Sequence, residues 1–340
     1  MHKPIKKLSA SSIKTFDSCS WIYYSKYFLK LPDISNKGAV SGGIIHEVLE
    51  LLLNKNKYFN YVNDIVKNNK LPIELLKLID LKLKKTKYYN EENLERIKNC
   101  TLIALKNDFW MDGYELHKPE HEFTIEKEYK IGGFIDVLGV KKLPNGKLKI
   151  KIRDYKNQRN LFTQKELQFN LQGYTYLLSA RESFPEMDLL ESEIEFVMLQ
   201  HPDNLLQVFK LSSIDELDGY EEYLKYIQVA VDAFTEDKAQ QNLAAEKGFP
   251  TENEGFCKKL LCGFASKPGQ LKKDGTKMWY CPQKFPFDYY VLVDKDGKIK
   301  YSAFTSAELP VKPDLKMEAR SYLGCPSFSK RNKFTDIKKK

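Results

Sequence analysis

The sequence predicts an α/β fold in which helices flank a mixed β-sheet of about five strands. Three observations lead to this prediction. Apolar residues recur at helical spacing before about residue 118, whereas polar and apolar residues alternate over residues 122–129, as in a half-buried strand. Residues 144–147 (Pro-Asn-Gly-Lys) are typical of a tight turn between strands. Helical spacing then returns from about residue 165.

The N-terminal part is predicted to be mostly helical. Residues 9–31 place a capping serine before a largely apolar face, which predicts one helix. Residues 38–43 contain two adjacent glycines and are predicted to be a loop, and a second helix follows over residues 44–53. Residues 55–120 are polar with helical periodicity, so we expect an insertion of about two to four helices there.

The strands of the sheet follow this insertion. Apolar residues on both faces predict one strand over residues 134–140, and the chain returns after the turn in a strand over residues 148–155. The remaining predicted elements are a helix at about 165–179, strands at 193–200 and 206–211, a long helix at 214–247 and a hairpin at 288–299. We therefore divide the chain into a core, a cysteine-bearing extension with that hairpin, and a basic tail, over residues 1–248, 249–304 and 305–340.

Charge and hydropathy narrow the classes of function. The formal net charge is +9, which suits a polyanionic partner such as DNA. Residues 312–340 carry nine basic and three acidic residues, and this tail is either a solvated, frayed segment or an arm that contacts phosphates. No apolar run approaches the roughly 18 residues that span a bilayer, and the N-terminus has no apolar signal core. We therefore expect no membrane partner and a cytoplasmic location, or the host cytoplasm if the protein is viral.

The sharpest chemical signal combines two neighbouring strands. The first ends its Gly-Phe-Ile-Asp sequence at Asp136, and the second carries the sequence Arg-Asp-Tyr-Lys, which includes Asp154 and Lys156. Hairpin-linked strands lie about 5 Å apart, so the two carboxylates can converge on one hard cation such as Mg²⁺. Side chains two residues apart in a strand face the same side, which would direct Lys156 toward the metal and the phosphate. Alternatively, the acids are edge-strand residues and the lysine forms a salt bridge.

Four short motifs follow one another along residues 8–180. They are an aromatic opening helix at residues 8–24, the Gly-x-x-x-His sequence at 42–46, the two strands with Asp136 and Asp154-Tyr155-Lys156, and the Gln-x-x-x-Tyr sequence at 172–176. This series resembles the RecB-type branch of the PD-(D/E)XK nucleases, including its iron–sulfur members. The resemblance implies a restriction-endonuclease-like core with a helical insertion and a cysteine-clamped C-terminal extension.

The resemblance also implies a role for each matching residue. The ligands of a Mg²⁺ or Mn²⁺ ion would be His46, Asp136, Asp154 and the backbone carbonyl of Tyr155. Lys156 would be the catalytic lysine. Gln172 and Tyr176 lie one helical turn apart and would support that lysine or contact DNA near the cut. Taken alone, His46 would be interpreted as a structural histidine at the start of a helix.

The six cysteines are unevenly spaced, and three of them lie between residues 257 and 281, which indicates metal ligation rather than core filling. By resemblance, a [4Fe–4S] cluster would be held by Cys19, Cys257, Cys262 and Cys281 and would clamp the C-terminal segment to the first helix. Zn²⁺ in the same place and no metal at all are the alternatives. Cys325 can substitute for Cys281, because the spacing of this segment departs from the family. Cys100 is expected to be a buried core residue.

These expectations lead to one leading function and two alternatives. The leading function is a Mg²⁺- or Mn²⁺-dependent exonuclease that hydrolyses DNA in recombination, repair or phage DNA metabolism. A structure-selective endonuclease is the alternative within the same enzyme class. A nuclease-derived DNA-binding module without catalysis is the alternative outside it, although the intact Asp136, Asp154 and Lys156 disfavour it. The resemblance also suggests a helicase or another recombination or replication protein as a partner.

Overall fold

The computed structural model describes residues 7–33, 37–117, 121–241, 269–271, 273, 275 and 281–326. The chain forms two compact units. The core unit comprises Ser35–Tyr226, and the terminal unit comprises Met1–Ile34 together with Ile227–Lys340. The predicted division into residues 1–248, 249–304 and 305–340 rests on the sequence and stays a prediction.

In the part of the chain that the structure describes, helices precede the first strand, and strands and helices are mixed after it. The helices are α1 (Ala10–Ser18), α2 (Ser20–Tyr27), α3 (Lys37–Leu52), α4 (Lys55–Asn68), α5 (Ile73–Lys84), α6 (Glu91–Lys106), α7 (Gln164–Gln168), α8 (Leu171–Ser183), α9 (Asp215–Asp232) and α10 (Glu236–Gln241). The strands are β1 (Glu115–Leu116), β2 (His121–Glu126), β3 (Lys130–Ile135), β4 (Val137–Lys142), β5 (Leu148–Lys156), β6 (Glu193–Met198), β7 (Leu206–Phe209), β8 (Phe287–Val293), β9 (Ile299–Ala303) and β10 (Lys316–Tyr322).

The core unit is built on a mixed sheet. Among the described residues, five strands pair in the order β1-β4-β5-β6-β7, and β2 and β3 form a separate two-stranded sheet. β5 is central, because it pairs antiparallel with β4 and parallel with β6. The parallel pair needs a crossover, which α7 and α8 provide. The predicted α/β fold with a mixed sheet flanked by helices is therefore confirmed.

The two faces of β5 have different neighbours because side chains alternate along a strand. Tyr155 belongs to a buried cluster formed with the apolar residues of α3 to α6. Within that cluster, Ile45, Val48 and Leu52 of α3 are completely buried. Each such aliphatic side chain contributes about 1.5–3 kcal/mol to folding as an upper estimate. The opposite face of β5 carries Asp154, which is hydrogen-bonded to residues of α8.

The strand predicted over residues 134–140 is divided at Asp136. β3 ends at Ile135 and pairs with β2, whereas β4 begins at Val137 and pairs with β5. Asp136 itself forms a bend between them. The chain changes from one sheet to the other at this residue, and this change places the acid at the edge where the two sheets meet.

Three predicted helix boundaries differ from the structure. The loop predicted over residues 38–43 is part of α3, where the buried Ser41 donates to Asn93 Oδ1 at 2.9 Å and the apolar face that begins at Ile44 packs in the core, which offsets the cost of about 1 kcal/mol for each internal glycine. The helix predicted over residues 9–31 is divided at Cys19, whose backbone is extended with φ −162° and ψ 112°. The helix predicted at about 165–179 is divided before α8, because the Asn170 side chain accepts from the amides of Gln172 and Gly173 as an N-cap.

The long helix predicted over residues 214–247 is also interrupted. α9 ends at Asp232 and α10 begins at Glu236, and residues 242–247 lie outside the described residues. The insertion predicted over residues 55–120 contains α4, α5 and α6 in the part of the chain that the structure describes.

The terminal unit contains a small antiparallel sheet with the order β10-β8-β9. The hairpin predicted over residues 288–299 corresponds to β8 and β9, with Gly297 at φ 73° in its turn. β10 lies inside the segment predicted to be a basic tail. The prediction that this tail is frayed is therefore wrong for Lys316–Tyr322. Tyr322 of β10 is buried, and its ring centroid lies 5.0 Å from that of Phe287 in β8. This contact helps to hold β10 against β8. The basic residues 330–340 lie outside the described residues.

Within the part of the chain that the structure describes, none of the helices has both the length and the apolar character that crossing a bilayer requires.

Candidate active site

The structure brings together all seven residues that the sequence predicted for the nuclease site. The strand register pairs Val137 with Arg153. Asp136 therefore lies beside Asp154, at the distance of about 5 Å that separates opposite residues of neighbouring strands. Five further groups surround this pair, and they are His46 of α3, Tyr155 and Lys156 of β5, and Gln172 and Tyr176 of α8.

Asp154 is the most buried acid of the site, with 2% of its surface exposed. Its Oδ1 accepts hydrogen bonds from Gln172 Nε2 at 2.9 Å and from Tyr176 Oη at 3.0 Å. Its Oδ2 lies 2.6 Å from Lys156 Nζ, but no donor among the described residues meets the angular requirements of a hydrogen bond to it. Burial raises the pKa of Asp154, Lys156 opposes this effect, and the neighbouring Asp136 adds to it. The Oδ1 atom of Asp154 is thus fixed by α8, and its Oδ2 atom lies beside the Lys156 ammonium.

Gln172 connects the lysine to the acid. Its Oε1 accepts from Lys156 Nζ at 2.7 Å, while its Nε2 donates to Asp154 and also to Tyr176 Oη at 2.5 Å. The two ends of the amide have complementary partners, and these partners define its orientation. Tyr176 keeps its proton, because burial and then the charges of Asp154 and Asp136 raise its pKa well above the usual value.

His46 joins α3 to the end of β5. Its Nε2 lies 2.8 Å from the carbonyl oxygen of Tyr155, and its Nδ1 lies 3.3 Å from Asp136 Oδ2. The same Asp136 oxygen accepts from the backbone amide of Tyr155 at 2.9 Å. Burial alone would lower the pKa of His46, but the Asp136 and Asp154 carboxylates and the Tyr155 carbonyl raise it to about 9. The protonated His46 ring therefore occupies a position where the Asp136 carboxylate and the Tyr155 carbonyl oxygen attract positive charge.

These groups have the chemistry of ligands for a hard divalent cation. Two carboxylates, a backbone carbonyl and one imidazole are a ligand set suited to Mg²⁺ or Mn²⁺. Asp154 Oδ2, which is buried and lacks a well-aligned hydrogen bond, is an oxygen that an ion could take. Among the described residues, no group of three or more His, Cys, Asp or Glu side chains is placed so that these side chains by themselves could hold a metal ion. In this arrangement Lys156 and His46 provide the positive charge.

Sequence reasoning missed the structural role of Arg153. This residue is 2% exposed and lies behind Asp154 on the opposite face of β5. Its Nε and Nη2 donate to Glu195 of β6 at 2.9 and 2.6 Å, and its Nη1 donates to the carbonyls of Asn107 and Asp108. The pair ties β5 to β6 and to the end of α6. A charged residue inside a strand with apolar residues on both faces was the available signal.

The family model of the PD-(D/E)XK nuclease superfamily matches residues 7–266, which include all seven site residues. The chain belongs to the PD-(D/E)XK nuclease superfamily. Membership implies that the chain is a nuclease, and such nucleases usually use Mg²⁺ or Mn²⁺. The resemblance found in the sequence is thereby confirmed at the level of the superfamily. No curated protein sequence matches this chain.

The cysteines of this PD-(D/E)XK nuclease fall into three groups. Cys19 lies at the junction of α1 and α2, and two residues later Trp21 Nε1 donates to Tyr322 Oη at 2.6 Å. The buried residues Cys281 and Cys325 lie near the same tyrosine: burial raises the pKa of Tyr322, and the two sulfur atoms raise it further. Cys257 and Cys262 lie outside the described residues.

Cys100 has a different environment. This residue of α6 is 3% exposed in the hydrophobic core, where its Sγ lies 3.5 Å from the carbonyl oxygen of Leu199. Burial raises the pKa of its thiol to about 11. The buried position agrees with the expectation that Cys100 fills space in the core.

Proposed function

We propose that this nuclease is a metal-dependent deoxyribonuclease of the RecB-type branch, acting as an exonuclease in DNA recombination, repair or phage DNA metabolism. The observation that carries the proposal is the convergence of Asp136, Asp154 and the Tyr155 carbonyl beside Lys156, in the order of motifs typical of that branch. A relative without catalytic activity tends to lose these side chains, whereas this chain has all of them close together. The partners that we propose are DNA and, from the resemblance, a helicase or another recombination or replication protein.

The proposed metal ligands are His46, Asp136, Asp154 and the carbonyl oxygen of Tyr155. A bound Mg²⁺ or Mn²⁺ would supply Lewis acidity and a bound water molecule that is more acidic than bulk water. His46 must lose its proton to coordinate a metal. Metal binding would therefore compete with protonation of the ring, which its raised pKa favours.

Lys156 and its supports carry the rest of the proposed mechanism. The Lys156 ammonium can neutralise charge that develops on the phosphate or orient the attacking water, provided that its position is fixed. Gln172 fixes it through the 2.7 Å hydrogen bond, and the amide also holds Asp154. Tyr176 holds the same Asp154 oxygen, so we propose that both residues position the reactive groups rather than react themselves.

Incubating end-labelled single- and double-stranded DNA with Mg²⁺ or Mn²⁺, with a circular DNA control, tests this proposal. An exonuclease releases acid-soluble nucleotides from linear DNA and leaves the circle intact. Cleavage of the circle would support the endonuclease alternative. Alanine at Asp136, Asp154 or Lys156 should reduce the rate at least about 10²-fold, whereas alanine at the exposed Glu128 should not. Near-normal cleavage by Asp154→Ala would refute the site, and binding without cleavage by the wild type would support the non-catalytic module.

We also propose a [4Fe–4S] cluster that joins Cys19, Cys257 and Cys262 to either Cys281 or Cys325, with Zn²⁺ as the alternative metal. The Trp21–Tyr322 hydrogen bond supports it, because it brings the opening helix to the segment that carries Cys281 and Cys325. Anaerobically purified protein should be brown with absorbance near about 400 nm, or colourless with about one zinc per chain. Comparing Cys281→Ser with Cys325→Ser identifies the ligand. Neither iron nor zinc in that preparation would refute the clamp and would leave the nuclease site untouched.

A further inference from the structure

Three cationic side chains gather around one exposed acid near the start of α3. They are Lys37 of α3, Arg96 of α6 and Arg159, which follows β5, and we call them the basic cluster. Lys37 Nζ lies 3.1 Å from Glu92 Oε1 of α6. The hydrogen bond from Lys37 lowers the pKa of Glu92, and the charges of Lys37, Arg96 and Arg159 lower it further. The surface thus has three positive charges around this one carboxylate.

Arg96 is held by two buried partners. Its Nη2 donates to Ser41 Oγ at 2.8 Å and to Asn93 Oδ1 at 2.5 Å, and both partners are completely buried. Its Nε is buried and has no acceptor among the described residues. A guanidinium fixed in this way keeps a permanent positive charge beside the surface that carries Lys37 and Glu92.

The basic cluster is attached to the active site through Asn157, the residue after Lys156. Asn157 Nδ2 donates to the carbonyl oxygen of Gly38 at 3.4 Å, and its Oδ1 accepts from Gln200 Nε2 at 2.8 Å. A Cβ on Gly42, one helical turn before His46, would lie 3.8 Å from Asn157 Cβ. The first turns of α3 therefore pack directly on the end of β5.

The spacing matches a DNA strand. Lys37 precedes His46 by nine residues in one helix, which corresponds to about 13.5 Å along the helix axis. DNA covers such a distance within a few nucleotides, because each nucleotide advances a strand by at least about 3.4 Å. A strand with its scissile phosphate at Asp154 can therefore reach the basic cluster.

We infer that the basic cluster binds a backbone phosphate of the DNA a few nucleotides from the scissile bond, and that Glu92 weakens this binding by pairing with Lys37. This inference rests on the proposed function, since it takes DNA as the substrate. The phosphate would replace the Glu92 carboxylate on Lys37, and the charges of Arg96 and Arg159 would add to the attraction. Glu92 would then act as a competitor that limits how tightly DNA is held.

The test is the affinity of the full-length protein for a fluorescein-labelled DNA oligonucleotide, measured by anisotropy in buffer without divalent cations and over a series of salt concentrations. Glu92→Gln should tighten binding by about threefold to tenfold. Lys37→Ala and Arg159→Ala should weaken it and should each reduce the slope of log K against log salt by about 0.7–0.9.

Glu95→Gln is the matched control. Glu95 lies on the same helix and pairs with Lys98 at 2.6 Å, so its substitution changes the net charge equally without touching the basic cluster. It should change the affinity by less than about twofold. Equal tightening by Glu92→Gln and Glu95→Gln would refute the inference, because net charge alone would then explain the effect. Unchanged affinity and salt slope in Lys37→Ala and Arg159→Ala would refute it as well.

The two levels of the proposal fail separately. If the wild type releases no nucleotides but Glu92→Gln still tightens binding selectively, the proposed hydrolysis is refuted and the basic cluster is supported. If the wild type degrades DNA and none of these variants changes the affinity, the basic cluster is refuted and the proposed function stands.

Discussion

Gln172 offers the most direct test of how the proposed site works. Its amide holds both reactive groups, because it accepts from Lys156 at 2.7 Å and donates to Asp154 at 2.9 Å. Gln172→Met keeps the length of the side chain and a high helix propensity but removes both hydrogen bonds. The Lys156–Asp154 contact at 2.6 Å remains available in the variant.

The magnitude follows from the charges of the partners. A hydrogen bond to a charged group contributes about 1.5–3 kcal/mol, so two of them set an upper range of about 3–6 kcal/mol. The surviving Lys156–Asp154 contact keeps part of the arrangement, and we expect the barrier to rise by about 3–4 kcal/mol. The cleavage rate should therefore fall by about 10²- to 10³-fold. Tyr176→Phe removes one hydrogen bond to Asp154 and leaves the lysine held, so it should cost about tenfold.

The assay is single-turnover cleavage of end-labelled DNA at saturating Mn²⁺, with thermal unfolding measured on the same preparations. Saturating metal separates positioning of Lys156 from weakened metal binding. The variant that combines Gln172→Met with Tyr176→Phe should lose less cleavage rate than the product of the two single losses. Both residues bind the same oxygen of Asp154 and also each other, so their effects are not independent. A folded Gln172→Met protein that cleaves within about threefold of the wild type would refute the positioning role.

Four further predictions concern the metal, the clamp and the packing of α8. His46→Ala should move the Mn²⁺ titration to concentrations at least about tenfold higher, and an unchanged titration would make His46 structural. Without metal, the raised pKa of His46 stabilises the fold fully below about pH 6.5 and ceases to do so as the pH rises through about 9, so the free energy of unfolding should fall across that window and His46→Ala should flatten the fall. Cys19→Ser should lower the melting temperature and the metal content, whereas Cys100→Ser should leave the metal content unchanged. Gly173→Ala should lower the free energy of unfolding by about 1–3 kcal/mol, measured by urea denaturation, because its Cβ would lie 2.7 Å from the ring of the buried Phe209.

Much of the proposed site could be predicted from the sequence because its geometry is local. The turn after β4 and the alternation of side chains in β5 suffice to place Asp136 beside Asp154 and to direct Lys156 with it. Gln172 and Tyr176 are separated by one helical turn, so their shared direction was also available from the sequence. The role that each of these residues plays in cleavage stays a prediction.

Other features depend on packing between distant segments. The sequence predicted a loop at Gly42, and burial of the apolar face of α3 overrides that local preference. The sequence predicted one strand through Asp136, and pairing with two different partners divides it. The basic cluster combines residues from α3, α6 and the segment after β5, and no local pattern connects them.

The sequence by itself therefore determined the class of fold, the order of the motifs and the choice of Asp136, Asp154 and Lys156 as the proposed acids and lysine. The fold class and the local placement of the acids and the lysine follow from periodicities of two and 3.6 residues and from turn chemistry, which act over a few positions, whereas the series of motifs has its meaning from the resemblance. The tertiary structure alone decided that Gln172 bridges Lys156 to Asp154, that Arg153 ties β5 to β6, and that Tyr322 meets Trp21. The physical reason is that strand register and helix packing are long-range, and they set the distances between groups that the sequence separates by tens or hundreds of residues.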